Sequence, residues 1–67
     1  MYKTHFNVAN IENTQMKTHL KNALNKYDGV SMVNIDLGRG TVEVGYDDTV
    51  DEKVIRQCIE KTGFTIE

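Results

Sequence analysis

Proline and tryptophan are absent from this chain of 67 residues, and cysteine occurs once, as Cys58. A single cysteine makes an internal disulfide impossible, whereas a small secreted domain is ordinarily stapled by several. The expectation is a reducing, cytoplasmic setting. Positive charge is also short. Lys and Arg total 8 against 10 Asp and Glu, for a net charge of −2. A nucleic-acid binder needs a basic excess to displace counterions from phosphate, so that class is excluded. No apolar run approaches the roughly 18 residues of a membrane span. The opening Met1-Tyr2-Lys3-Thr4-His5-Phe6 has no apolar core of a signal peptide, and membrane insertion is not expected. No linker or low-complexity stretch divides the chain, so residues 1–67 are read as one domain. A domain this small buries only about 60% of its unfolded surface. Any ligand site therefore belongs at an edge or on a loop.

What is present is a clear order of elements. Tyr2, Thr4, Phe6 and Val8 alternate with Lys3, His5 and Asn7, as in a half-buried strand. Over residues 14–27, Met16, Leu20, Ala23, Leu24 and Tyr27 form a helical stripe, and Gly29 is expected as a left-handed C′ residue closing it. Residues 30–37 alternate again, with Val33, Ile35 and Leu37 on one side. Gly38-Arg39-Gly40 is a tight turn, and residues 41–46 return with Val42, Val44 and Tyr46 inward, completing a hairpin. Thr49 to Glu52 reads as a capping box with Thr49 at the N-cap. A second helix follows with Val54, Ile55, Cys58, Ile59 and Thr62 on one face. Gly63 ends it, and Phe64-Thr65-Ile66 is a short last strand.

The order β-α-β-β-α-β is that of an α+β ferredoxin-like sandwich, a four-stranded antiparallel sheet with two helices on one face. The other face of the sheet would carry Lys3, His5, Asn7, Met32, Asn34, Asp36, Thr41, Glu43 and Thr65, a mostly polar set.

Two stretches carry a family resemblance. The first is Phe6-Asn7-Val8, a loop, a helix, and then Tyr27-Asp28-Gly29-Val30-Ser31-Met32-Val33-Asn34-Ile35-Asp36-Leu37. The second is Gly40 to Val44, Tyr46-Asp47-Asp48, and Ile59-Glu60 followed by Gly63-Phe64. Together they resemble the heavy-metal-associated domain, a family of copper chaperones and N-terminal domains of copper-pumping ATPases. That family leads from its first strand into Gly-Met-x-Cys-x-x-Cys. Here the run is Asn10-Ile11-Glu12-Asn13-Thr14-Gln15-Met16, with Asn13 and Met16 at the cysteine positions. Two thiolates hold Cu(I) because they are soft and anionic; an amide is hard and neutral, and a thioether is soft but uncharged. The resemblance thus implies the fold and a docking role, with weak Cu(I) binding or none and no resident cofactor.

Individual residues admit two readings. Asn13 is a natural N-cap for the first helix. Met16 and His19, three apart on that helix, form a candidate soft metal pair; otherwise Met16 is core filler and His19 a surface histidine. Cys58 belongs to the inward stripe of the second helix and reads as a small core hydrophobe. The acids Asp47, Asp48, Asp51 and Glu52 complement the positive end of that helix. The first helix carries Lys17, Lys21 and Lys26 and no acid between Asn13 and Tyr27. In the resembled family, the first helix and loop form the docking surface. The resemblance therefore assigns docking to Asn13, Met16, Lys17, Lys21 and Phe64. The partners implied are a metal-transporting ATPase domain, a copper chaperone or a second copy of the chain.

Two enzymatic or nucleic-acid readings share the topology and fail on residues. Acylphosphatase chemistry holds phosphate with a first-loop arginine, and the loop from Ala9 to Asn13 has none. RNA-recognition domains stack bases on sheet aromatics, and Thr41, Glu43 and Gly45 offer no ring. The expected function is a non-enzymatic docking module of metal homeostasis, a metallochaperone relative without its cysteines. The alternative is a working chaperone that uses Met16 and His19.

Overall fold

A computed structural model describes residues 1–67. Its elements are β1 (Tyr2–Asn7), α1 (Thr14–Asn25), β2 (Val30–Asp36), β3 (Thr41–Tyr46) and α2 (Glu52–Lys61). The strands form an antiparallel sheet in the order β1-β3-β2. Cross-strand rows explain the alternation. Phe6, Val42 and Ile35 lie in one row, and Thr4, Val44 and Val33 in another, both toward the core. The intervening rows, His5–Glu43–Asn34 and Asn7–Thr41–Asp36, carry the polar residues to the opposite face. Leu20 and Leu24 of α1 and Ile55, Cys58 and Ile59 of α2 cover the apolar rows. All core members are hydrophobic and no buried polar side chain is left unpaired.

The register shifts by one residue between Val30 and Met32. Val30 and Val33 have opposite parity, so a regular strand would turn one of them out. The extra residue, Ser31, resets the phase, and both valines pack against the core.

Several expectations are corrected. The sheet has three strands, not four. Residues 64–66 reach the free edge of β1, where the fourth strand belongs, but make one isolated bridge, Val8 to Ile66. The ladder cannot lengthen because the Thr65 amide is taken by a side chain, Asn10 Oδ1, at 2.8 Å. Helix α1 stops at Asn25, and Tyr27, placed on its stripe, lies beyond it and is exposed. Strand β2 ends at Asp36, one residue short of Leu37. Gly29 has no positive φ; its lack of a side chain serves close packing, because a Cβ there would collide with Val50 and Thr49. The N-cap of α2 is Asp51, not Thr49: Asp51 accepts from the Lys53 amide at 2.9 Å. Thr49 is engaged instead with the Asp47 carboxylate through both its amide and its hydroxyl.

The end of α2 follows the expected pattern. Gly63 takes φ +106°. Its amide donates to Glu60 O at 3.1 Å and the Phe64 amide to Ile59 O at 3.2 Å, the paired bonds of a Schellman motif. Phe64 and Ile59 are both buried in the core, which supplies the hydrophobic contact that accompanies the motif.

Candidate functional site

Strand direction sorts the connections into two poles. β1 runs from Tyr2 toward a pole formed by the loop after Val8, the 37–40 turn and the end of α2; Val8 N to Gly40 O (2.7 Å) and Ala9 N to Thr65 O (2.9 Å) tie these together. The other pole gathers residues 26–30 and 46–52, joined by Asp47 N to Gly29 O at 2.9 Å. The candidate site lies at the first pole, where α1 begins.

Asn13 is extended, with φ −150° and ψ 171°, and its side chain caps α1. Its Oδ1 accepts from the Met16 amide at 2.9 Å, the geometry of an N-cap and its N3 residue. Ile11, at the position of the loop methionine in the resembled family, is buried. Met16 is half-buried and packs against the core, whereas His19 is exposed. The two stand in different surroundings, one packed and one in water. Nowhere do three or more His, Cys, Asp or Glu side chains gather as a metal site. Lys17 is half-buried and Lys21 exposed, four apart on α1. Phe64 is a core residue with 6% of its surface exposed. It supports the pole from beneath and presents almost no surface of its own.

Asn10 was not singled out by the sequence reading, yet it organises this pole. Its Oδ1 accepts from the Thr65 amide at 2.8 Å and its Nδ2 donates to Gly63 O at 3.1 Å. These partners are more than fifty positions away in sequence, and no local pattern announces them.

The chain's one ion pair joins Arg39 to Asp36 at 3.9 Å, so Lys17 and Lys21 have no partner. Helix α1 has no acid in its first turn and no base in its last. Helix α2 obeys the dipole rule at both ends, with Glu52 first and Lys61 last. Positive charge near the N-terminus of α1 therefore adds to the helix dipole rather than offsetting it.

The opposite pole is acidic and aromatic. Asp28, Asp47, Asp48, Asp51 and Glu52 are exposed. Tyr2 and Tyr46 pair at 5.6 Å between ring centroids, and Thr4 Oγ1 donates to the Glu52 carboxylate at 2.9 Å. Partial burial, then the Glu52 and Asp51 charges and Tyr2, raise the Tyr46 phenol above its ordinary pKa. The Thr49 hydroxyl and then the Thr49 amide hold the Asp47 carboxyl below the usual 3.8. Cys58 is buried as expected. Proximity to Cys58, followed by burial, raises the Tyr27 phenol.

Comparison with known proteins bears on this geometry. The model of the heavy-metal-associated domain matches residues 5–65. Among solved structures, the CopZ metallochaperone is 30% identical and superposes with a TM-score of 0.93 over 98% of this chain and 100% of that one. The yeast copper transporter domain Ccc2a, solved in apo and Cu(I)-loaded states, is 25% identical, with a TM-score of 0.90 over 97% of this chain and 90% of that one. A chain of the Atx1–Cu(I)–Ccc2a complex is also 25% identical, with a TM-score of 0.88 and the same coverage of 97% and 90%. No curated protein matches the sequence significantly.

Proposed function

The chain belongs to the heavy-metal-associated domain family, and from that premise we propose that it acts in metal homeostasis as a protein-docking module that binds Cu(I) weakly or not at all. The observation that carries this reading is the bond from the Met16 amide to Asn13 Oδ1. At the two positions where the family grips its cargo, this chain has an amide committed to capping a helix and a thioether packed on the core. Neither brings negative charge, and a soft monovalent cation is held by soft anionic sulfur. What remains is the docking half of the family's design. Asn13, Met16 and Lys17 stand at the start of α1 with Lys21 one turn further on, and the two lysines are free to meet acidic groups. Lysines so placed steer encounter and set the on-rate more than the final affinity.

The partner is a folded domain of the same system: a metal-transporting ATPase domain, a true copper chaperone or another copy of the chain. The likeness to a chain of the Atx1–Cu(I)–Ccc2a complex supports this. We assign the module to the cytoplasm, in keeping with its single thiol; no helix is long and apolar enough to cross a membrane. We assign no catalytic step to it.

Competition against a Cu(I) chelator tests the metal half of the reading. The expected result is no withdrawal of copper from a chelator that two-cysteine relatives compete with. Tight one-to-one binding that disappears in Met16→Ala and His19→Ala would establish the chaperone reading instead. For the docking half, an amide-shift titration with a copper-ATPase metal-binding domain should perturb residues 13–21 and weaken in K17Q/K21Q. Binding that ignores those two substitutions would remove docking through α1.

A further inference from the structure

Two charged features of the surface face solvent in the monomer. One is the unpaired lysine face of α1. The other is the acidic pole, where five carboxylates are exposed and Tyr2, paired with Tyr46, keeps 55% of its surface in water. An aromatic face beside carboxylates suits a lysine, whose stem packs on the ring while its ammonium meets the ring face and the acids. The chain thus carries both a cationic helix face and a surface that complements it. Lys17 lies near the start of α1, at the end away from the acidic pole, and neither it nor Lys21 makes an ion pair within the chain.

We propose that the occupant of the α1 face is a second copy of this chain, presenting its acidic tyrosine pole, so that copies associate head to tail. The inference rests on the reading of α1 as the docking face and names its partner. Because the two surfaces are different, the contact is heterologous. Each pair leaves one lysine face and one acidic pole free, and short open chains grow from it. The contacts are exposed charges, so association is weak, reversible and screened by salt.

Sedimentation and amide line widths over a concentration series test this. Two salt levels are compared, about 0.01 M and about 1 M, with Debye lengths of about 30 Å and 3 Å. At low salt the average mass should rise above the 7.6 kDa monomer with concentration, and at high salt it should return to the monomer. K17Q/K21Q and D28N/D48N should each remain monomeric when alone, with unchanged circular dichroism. Their equimolar mixture should form dimers and nothing larger, because each variant keeps one of the two surfaces. A monomeric wild-type chain at low salt would overturn the proposal, as would oligomers that survive in either variant. A monomer result leaves docking through α1 intact, since that reading is tested separately with the ATPase domain.

Discussion

The side-chain oxygen of Asn13 accepts a hydrogen bond from the Met16 amide at 2.9 Å. The two residues at the family's cysteine positions are thus bonded to each other, side-chain oxygen to backbone amide, and the Met16 sulfur takes no part in that bond. The same spacing that lets two thiolates share a metal lets a short amide cap the helix on which the second residue sits. The chemistry changed while the backbone geometry stayed.

That relationship predicts a clean division of effects. Asn13→Ala should cost about 1 kcal/mol of stability through loss of the cap, read as a lower urea midpoint with an unchanged m-value. N13C/M16C should also lose the Asn13 cap bond but gain tight Cu(I) binding in chelator competition, because it restores two soft anions on an unchanged scaffold. If the double variant folds and still binds no copper, ligand identity is not what the chain lacks.

Asn10 provides a second test. Asn10→Ala removes the bonds to the Thr65 amide and the Gly63 carbonyl. Two net hydrogen bonds amount to about 1–2 kcal/mol. The local signature is faster hydrogen exchange at the Thr65 amide, while the β1–β3 ladder stays protected. Uniform acceleration across the sheet would mean that Asn10 serves global stability rather than the pole.

The glycines separate by what surrounds them. A Cβ at Gly29 would meet Val50, Thr49 and Asp47, whereas at Gly38 the nearest atom is Asp36 Oδ1 at 3.4 Å. Gly29→Ala should destabilise by about 1–3 kcal/mol through forced displacement of the 47–50 turn. Gly38→Ala should fall within about 0.5 kcal/mol of the wild type. Thermal melts of the two variants side by side decide the point.

Asp47 should leave a mark on acid stability. Its folded-state pKa is depressed from 3.8 by the Thr49 hydroxyl and amide. The unfolded chain therefore binds its proton first as pH falls. The stabilisation is present above pH 3.8 and is lost as pH drops through the lower folded value. Carboxyl-detected NMR should place the Asp47 midpoint below the ordinary carboxylate value, and Thr49→Val should move it upward. A midpoint unmoved by Thr49→Val would break the assignment.

Local pattern was enough for much of this protein. The alternation of Phe6 with His5 and Asn7, and of Val42 and Val44 with Glu43, marks half-buried strands, because side chains on a strand alternate between faces. The stripe of Leu20 and Leu24, and that of Ile55, Cys58 and Ile59, marks helices that bury one side, as they do. Asn13 as a cap and Gly63 as a helix end were legible for the same reason: each depends on partners within a few residues. The missing thiolates, and with them the loss of the family's donor set, can also be read directly from Asn13 and Met16.

Tertiary structure decided the rest, wherever the partner lies far away along the chain. The Asn10 side chain takes the Thr65 amide and reduces the fourth strand to one bridge. Thr49 is bound to Asp47, so the start of α2 passes to Asp51. Gly29 is small because the 47–50 turn presses on it, not because the backbone turns left-handed there. Phe64 is buried, although the family resemblance counts it among the docking residues. Sequence periodicity records which face of an element avoids water; it does not record which distant group competes for a given donor, acceptor or volume, and that competition exists only after the chain has folded.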